Sequence, residues 1–289
     1  MENLRGAAWM TLAMLVFAIE DMFIKLLSEA LPTWQIIAII GAGGASVFGL
    51  AAKWQGQALF PAAALSAAVL VRNTGELVGS LAFVTAIALI PLSSASAILQ
   101  ATPLVVTLGA ALFLGEAVGW RRWTAILVGF AGVLLIIRPG LEGFDIRSLF
   151  AVLAVIGLAL RDLATRRIPA TVSSIQLSFL AFLTLVPAAF GLAWATGAPA
   201  VQPQGLHWAL IGCTISFGVL AYYAIVTAMR VGEISFVTPF RYSRILFALI
   251  IGMAVFGERP DALMLIGAAF VVSSGLFTLW RERKHRSAA

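Results

Sequence analysis

Ten apolar runs, most of them long enough to cross a bilayer, succeed one another along this sequence with short polar connections between them. They lie at approximately 6–27, 33–53, 66–90, 93–114, 123–138, 147–165, 173–195, 206–229, 234–256 and 262–280. A run of about 20 apolar residues matches the hydrocarbon layer when helical, and a helix satisfies its own backbone groups in lipid. Barrel strands would instead give alternating segments of about 10 residues. Charged residues make up only 11% of the chain, against about a quarter of a soluble globular one. The fold class predicted is therefore all-α integral membrane, with ten transmembrane helices.

The connections are tight and carry turn chemistry, as in "EALPT", "IPLSS", "IRPGLEGFD", "TGAPAVQPQG" and "GERPD". They leave no room for a second, soluble domain. The start "MENLRGAAWM" leads into an apolar segment that contains Glu20 and Asp21 and exceeds a signal h-region, so a retained first helix is expected. Cys213, the single cysteine, lies in an apolar run and reads as a small core residue. The net charge of +6 does not point to nucleic acid, because the basic residues sit in short connections between apolar runs. The lipid bilayer is the partner this pattern implies.

Loop charges give an orientation. With a cytoplasmic N-terminus, the inside connections and tail hold 12 basic residues: Arg5, Lys53, Arg72, Arg121, Arg122, Arg166, Arg167, Arg230, Arg281, Arg283, Lys284 and Arg286. The outside connections hold 4, namely Lys25, Arg138, Arg147 and Arg259. That bias predicts cytoplasmic termini and an even number of spans.

The chain also repeats itself. "EDMFIK" (Glu20 to Lys25) aligns with "RDLATR" (Arg161 to Arg166), and at the same offset of 141 Gln35 falls opposite Gln176. "FLGE" (Phe113 to Glu116) is answered by "VFGE" (Val255 to Glu258). Two five-helix repeats are expected, 1–145 and 146–289, the second ending in a short basic tail. Five is odd, so the second repeat enters the membrane inverted. Inverted repeats of this kind build secondary transporters that hold substrate at the interface of the halves.

These features resemble the EamA family of the drug/metabolite transporter superfamily, over essentially the whole chain. "TPFRYSRILFALIIGMAVFGE" (Thr238 to Glu258) is similar to the ninth helix of its bacterial members, and "EDMFIKLLSEALPTWQI" to the end of their first. Within the family the chain looks most like the YddG-type amino-acid exporters. The resemblance implies export of small organic solutes from a bacterial inner membrane. The first-half counterpart of the ninth helix reads "LQATPLVVTLGAALFLGE" and has no arginine. Any paired role for Arg241 and Arg244 is thus asymmetric.

Charges inside the spans mark the candidate site. Two central arginines cost roughly 5–7 kcal/mol on an insertion scale, against roughly 4–7 returned by twelve Leu, Ile, Phe and Val residues in 234–256. The helix inserts, but nothing in that balance explains the charges. Either the arginines snorkel toward the cytoplasmic end, or at least one faces an aqueous cavity and a substrate carboxylate. Glu20 and Asp21 lie in helix 1; being adjacent, at most one is expected to point directly into a cavity. Asn73, Glu76 and Ser80 share one face of helix 3, where Glu76 either pairs with an arginine or contacts substrate. Arg161 and Asp162 read as cytoplasmic rim.

Helix 4 has a polar stripe of Ser93, Ser96, Gln100 and Thr107. Ser93 and Thr107 are assigned to helix packing, and Gln100 to either packing or the pocket. Helix 8 has a stripe of Ser216, Tyr223, Thr227 and Arg230. Phe83 and Tyr223 are the chosen pocket walls. Pro103 and Pro239 are expected to break helices 4 and 9 locally. Trp9, Trp34, Trp54, Trp120, Trp123 and Trp280 read as interfacial anchors, and Phe236 as an apolar span residue. "GAGGAS" (Gly41 to Ser46) reads as small-residue packing rather than a phosphate cradle.

Substrate-binding candidates are therefore Glu20, Asp21, Glu76, Ser80, Phe83, Gln100, Tyr223, Arg241 and Arg244. The chain has two histidines, His207 and His285, and neither a recognisable nucleophile elbow nor a paired-histidine helix, so no metal, cofactor or catalytic residue is expected. A small-molecule substrate and a monomer are. A zwitterionic amino acid fits the charges and aromatics; riboflavin or S-adenosylmethionine would also fit. A channel or a non-transporting membrane scaffold is the remaining alternative.

Overall fold

A computed structural model describes residues 2–113, 119–140, 144–165, 167–169, 171–231 and 237–286, and these contain helices and no strand. The helices are α1 (Glu2–Ser28), α2 (Thr33–Trp54), α3 (Ala67–Leu89), α4 (Leu92–Leu99), α5 (Thr102–Phe113), α6 (Trp120–Ile137), α7 (Ser148–Thr165), α8 (Ser174–Thr196), α9 (Leu206–Val231), α10 (Ser243–Phe256) and α11 (Ala262–Arg286). A 3₁₀ turn, Thr238–Tyr242, leads into α10. Seven segments are long and apolar enough to cross a membrane, with α4–α5 and the turn with α10 each counted as one. Two shorter apolar stretches (Trp123–Ile137 and Ala262–Phe277) and the 27-residue α1 complete ten.

The fourth span is broken at Gln100 and Ala101. Pro103 has no N–H to offer the Leu99 carbonyl four residues back. The Thr102 hydroxyl donates to that carbonyl instead, at 2.6 Å. The ninth span breaks at the equivalent place, where Pro239 opens the 3₁₀ turn. The two breaks touch: Gln100 Nε2 donates to the Arg241 carbonyl at 3.0 Å, across a sequence separation of 141.

Four helix pairs make the most extensive contacts, α1 with α9, α3 with α7, α2 with α8, and α6 with α11. Exchanging the first five spans for the last five turns the α1–α9 pair into the α7–α3 pair and maps the other two onto themselves. The molecule therefore has a pseudo-two-fold axis between inverted halves. Small residues let the paired backbones approach, as expected where lipid supplies no hydrophobic drive between helices. A Cβ on Gly157 of α7 would meet the Gly79 amide of α3 at 2.5 Å. Gly132 and Gly267 stand in the same relation on α6 and α11, where a Cβ on either would meet the other's carbonyl oxygen at 2.6 Å. Gly41, Gly43 and Gly44 of the "GAGGAS" run face Leu185, Ile215 and Phe182, so that run packs helices.

The echoed glutamines do equivalent work at opposite ends. Gln35 donates to the Val201 carbonyl and accepts from the Val201 amide, at 2.6 and 2.9 Å, tying the start of α2 to the loop after α8. Gln176 donates to the Ala58 carbonyl at 2.7 Å, tying the start of α8 to the loop after α2. Gln176 also completes a capping box with Ser173 at the head of α8. Glu116, Arg166 and Phe236 fall outside the described residues, as do the side chains of Arg122, Arg230 and the basic tail beyond Trp280.

Of the expected interfacial tryptophans, Trp54, Trp120, Trp123 and Trp280 are exposed. Trp34 is a correction: it is buried and its indole donates to the Ala198 carbonyl at 3.0 Å. A tryptophan at a helix start serves as an anchor only where lipid, and not a neighbouring loop, covers it.

Candidate functional site

A cavity of about 390 Å³ lies among α1, α3, α7 and the two broken spans, with α2, α8 and α9 completing its wall. Its polar groups come from elements of both halves. α1 supplies Glu20 and Asp21, and α3 supplies Arg72, Glu76 and Ser80. The fourth-span break contributes Gln100, α7 contributes Arg161 and Asp162, and the ninth span contributes Arg241 and Arg244. Phe17, Phe83, Tyr222 and apolar side chains form the rest. Four acids and four arginines balance formally, as expected where charges are buried within a helix bundle.

Asp21, 3% exposed, receives the Arg244 guanidinium at 2.6 Å. That guanidinium also lies over the rings of Phe17 and Phe83, 5.2 Å from each centroid. Arg244 therefore does not snorkel; it is clamped between a carboxylate and two aromatic faces. On the other side of the cavity Glu76 meets Arg161 at 3.3 Å and Arg72 at 3.4 Å, and accepts from the Ser80 hydroxyl at 3.3 Å. Arg161 also pairs with Asp162 at 2.8 Å. Arg72 reaches further, to the Asn73 amide oxygen and the Leu177 carbonyl of α8, both at 3.1 Å.

Eight of the nine candidate residues line this cavity. Tyr223 is the correction. Its ring is 61% exposed and stands edge-on to Trp9, with centroids 6.1 Å apart. One residue of helix is a rotation of about 100°, so Tyr222 takes the cavity position and donates to the Ser174 carbonyl at 3.2 Å. The stripe of Ser216, Tyr223 and Thr227 accordingly turns away, and α9 presents Gly218, Tyr222 and Ile225 instead.

Three further expectations change. Glu20 and Asp21 both line the cavity, because Gly218 of α9 leaves room beside Glu20 for its carboxylate. Arg161 and Asp162 belong to the cavity rather than to a rim. Arg72, counted above as a loop charge, is 7% exposed and lies inside. Its spacing of four from Glu76 was the available signal.

Next to the cavity, one residue beyond Ile24, a polar clasp joins the halves. Glu258 accepts the Leu92 amide and the amide and hydroxyl of Ser93 at the head of α4. Lys25 lies 3.8 Å from Glu258 and donates to the Ile87 and Ile90 carbonyls at the end of α3, at 3.2 and 2.7 Å. Ser93, assigned above to helix packing, is part of this clasp.

The EamA-like transporter family matches this chain twice, over residues 4–138 and 146–280. The chain belongs to that family. Among EamA-like relatives, an S-adenosylmethionine uptake transporter of Rickettsia felis is 28% identical across 68% of this chain and 66% of its own length. A riboflavin transporter of Rhizobium johnstonii is 28% identical across 98% of this chain and 94% of its own. A solved crystal structure superposes with a TM-score of 0.63 over 96% of this chain and 98% of its own, at 21% identity, which shows the shared fold. This EamA-like chain is thus a multi-pass membrane protein of a transporter family.

Proposed function

We propose that the chain is a secondary transporter that carries a small organic solute bearing a carboxylate, an amino acid first among them, by alternating access at the central cavity. One observation carries the choice of anchor. Arg72, Arg161 and Arg244 each hold an acid within 4 Å, whereas the Arg241 guanidinium makes no such pair among the described residues. A guanidinium that lines a cavity without an ion pair or hydrogen bond to an acid offers its planar fork to a carboxylate from outside.

In this reading Gln100 and Ser80 supply polar walls and Phe83 an aromatic one, while Asp21–Arg244 and the Glu76 group hold the helices. The halves, 1–145 and 146–289, rock about the site and expose it to one side at a time. The protein is a monomer of the bacterial inner membrane with both termini cytoplasmic, as its loop charges support. Net export is proposed on the resemblance drawn from the sequence, and a relative named as a pseudopaline exporter is consistent with it. S-adenosylmethionine and riboflavin are the second reading, favoured by the names of the relatives.

The test is uptake into proteoliposomes of labelled threonine, methionine and phenylalanine, with S-adenosylmethionine and riboflavin as competitors, with and without a proton gradient. Saturable, competed amino-acid uptake that Arg241→Ala abolishes in folded protein supports the reading. Absence of amino-acid uptake, with riboflavin transported, overturns it.

A further inference from the structure

Among the described residues, the cavity holds one acid with no ion pair and no hydrogen bond to its carboxylate. Asp21 has Arg244, Glu76 has Arg72 and Arg161, and Asp162 has Arg161. Glu20 has none of these, although it lines the same cavity. Its carboxylate lies against bare backbone of α9: a Cβ built on Gly218 would stand 2.6 Å from Glu20 Oε1 and 3.1 Å from its Cδ. No side chain is tolerated at 218 without moving that carboxylate. The close approach of α1 and α9 is thus spent on seating an acid that no described protein group pairs with or hydrogen-bonds. Burying a carboxyl group without a hydrogen-bond partner is costly, and helix packing alone has no use for it.

We propose that Glu20 is the cation subsite of the cavity, receiving the ammonium group of the solute, and that Gly218 is the residue that positions its carboxylate. The inference rests on the carboxylate-anchor reading of Arg241 and narrows it: the substrate has both an anionic and a cationic group. Amino acids and S-adenosylmethionine qualify. A neutral flavin does not, and neither does a plain anion.

The test uses the full chain in proteoliposomes, with methionine and N-acetylmethionine, which keeps the carboxylate and loses the ammonium. Wild type is expected to transport methionine at least about tenfold more efficiently than its N-acetyl form, since a charge-assisted hydrogen bond to a buried partner is at stake. Glu20→Gln is expected to erase that preference by a loss of methionine transport, leaving N-acetylmethionine unchanged or improved. Gly218→Ala is expected to raise the KM for methionine about tenfold by displacing Glu20. Adding Glu20→Asp to Gly218→Ala withdraws the carboxylate by one methylene and is expected to recover most of the loss.

A preference for methionine that survives in Glu20→Gln overturns the inference. So does a Gly218→Ala defect that Glu20→Asp leaves uncorrected, since that defect would belong to helix packing. Should Glu20→Gln fail to fold, the Gly218→Ala pair decides alone. Methionine transport that Arg241→Ala spares overturns the carboxylate-anchor reading and with it the demand for both charges, while Glu20→Gln alone decides the ammonium subsite. N-acetylmethionine carried as well as methionine by wild type overturns this inference while the Arg241 anchor survives.

Discussion

Asp21 and Asp162 occupy equivalent positions, 141 residues apart, on helices that the pseudo-two-fold axis exchanges. Their surroundings differ. Asp21 is held by Arg244 of the opposite half, one acid to one guanidinium. The position equivalent to Arg244 in the first half is Pro103, which has no charge to offer. Asp162 is held instead by its own neighbour Arg161, which is shared with Glu76, which is shared with Arg72. One side of the cavity is a single inter-half bond and the other a network. Duplication preserved the backbone scaffold, and the charges diverged on it. A single bond fails completely when one partner goes, whereas a network redistributes.

The largest effect expected from this contrast is functional. Arg241, which belongs to neither arrangement, should lose transport by at least about 100-fold as Arg241→Ala, a deficit of the size seen when a buried charge partner is removed. Purified variant should remain folded and monodisperse by size exclusion; aggregation would place Arg241 with the structural charges. Next comes Asp21→Asn, which removes the carboxylate bonded to the buried Arg244 and should cost about 3–5 kcal/mol. Thermal unfolding in detergent reads this, and combining Asp21→Leu with Arg244→Met should restore most of it, because replacing both partners removes the stranded charge.

Glu76→Gln should cost less than Asp21→Asn, about 1–3 kcal/mol, since Arg161 keeps Asp162 and Arg72 keeps its bonds to Asn73 and Leu177. Equal losses for the two variants would dissolve the distinction between bond and network. The smallest effect lies outside the membrane. The Arg138 guanidinium, with the Met264 amide, holds the Asp261 carboxyl below the usual carboxylate range. A depressed carboxyl contributes stability above its unfolded value of about 3.9 and loses it as pH falls through the folded value. Acid titration of unfolding should therefore show a slightly smaller loss below about pH 4 in Asp261→Asn than in wild type.

The spans were legible because lipid makes length and apolarity nearly sufficient. The repeat was legible at Asp21, Gln35 and their partners, where polar residues are rare enough that a common offset stands out. Rotation about a helix axis was not legible. Tyr222 and Tyr223 are chemically identical neighbours, and only the packing of α1 on α9 decides which one faces inward. Arg72 was read as a loop charge because sliding windows place boundaries within a few residues, and an arginine near a boundary belongs to either side. Sequence adjacency suggests that at most one of Glu20 and Asp21 points directly into the cavity. That holds for a flat wall; this cavity wraps around α1 because α9 has no side chain at 218.

The clasp at Glu258 joins the halves through the ends of two helices rather than through their flanks. The α4 amides and α3 carbonyls it holds have no partners inside their own helices. Water is a competent replacement for every one of them. Were this end of the bundle to part, as the proposed alternating access requires, solvent would take over the bonds that Glu258 and Lys25 release. In the alternating access proposed above, such a seal would open with its polar groups hydrated rather than stranded.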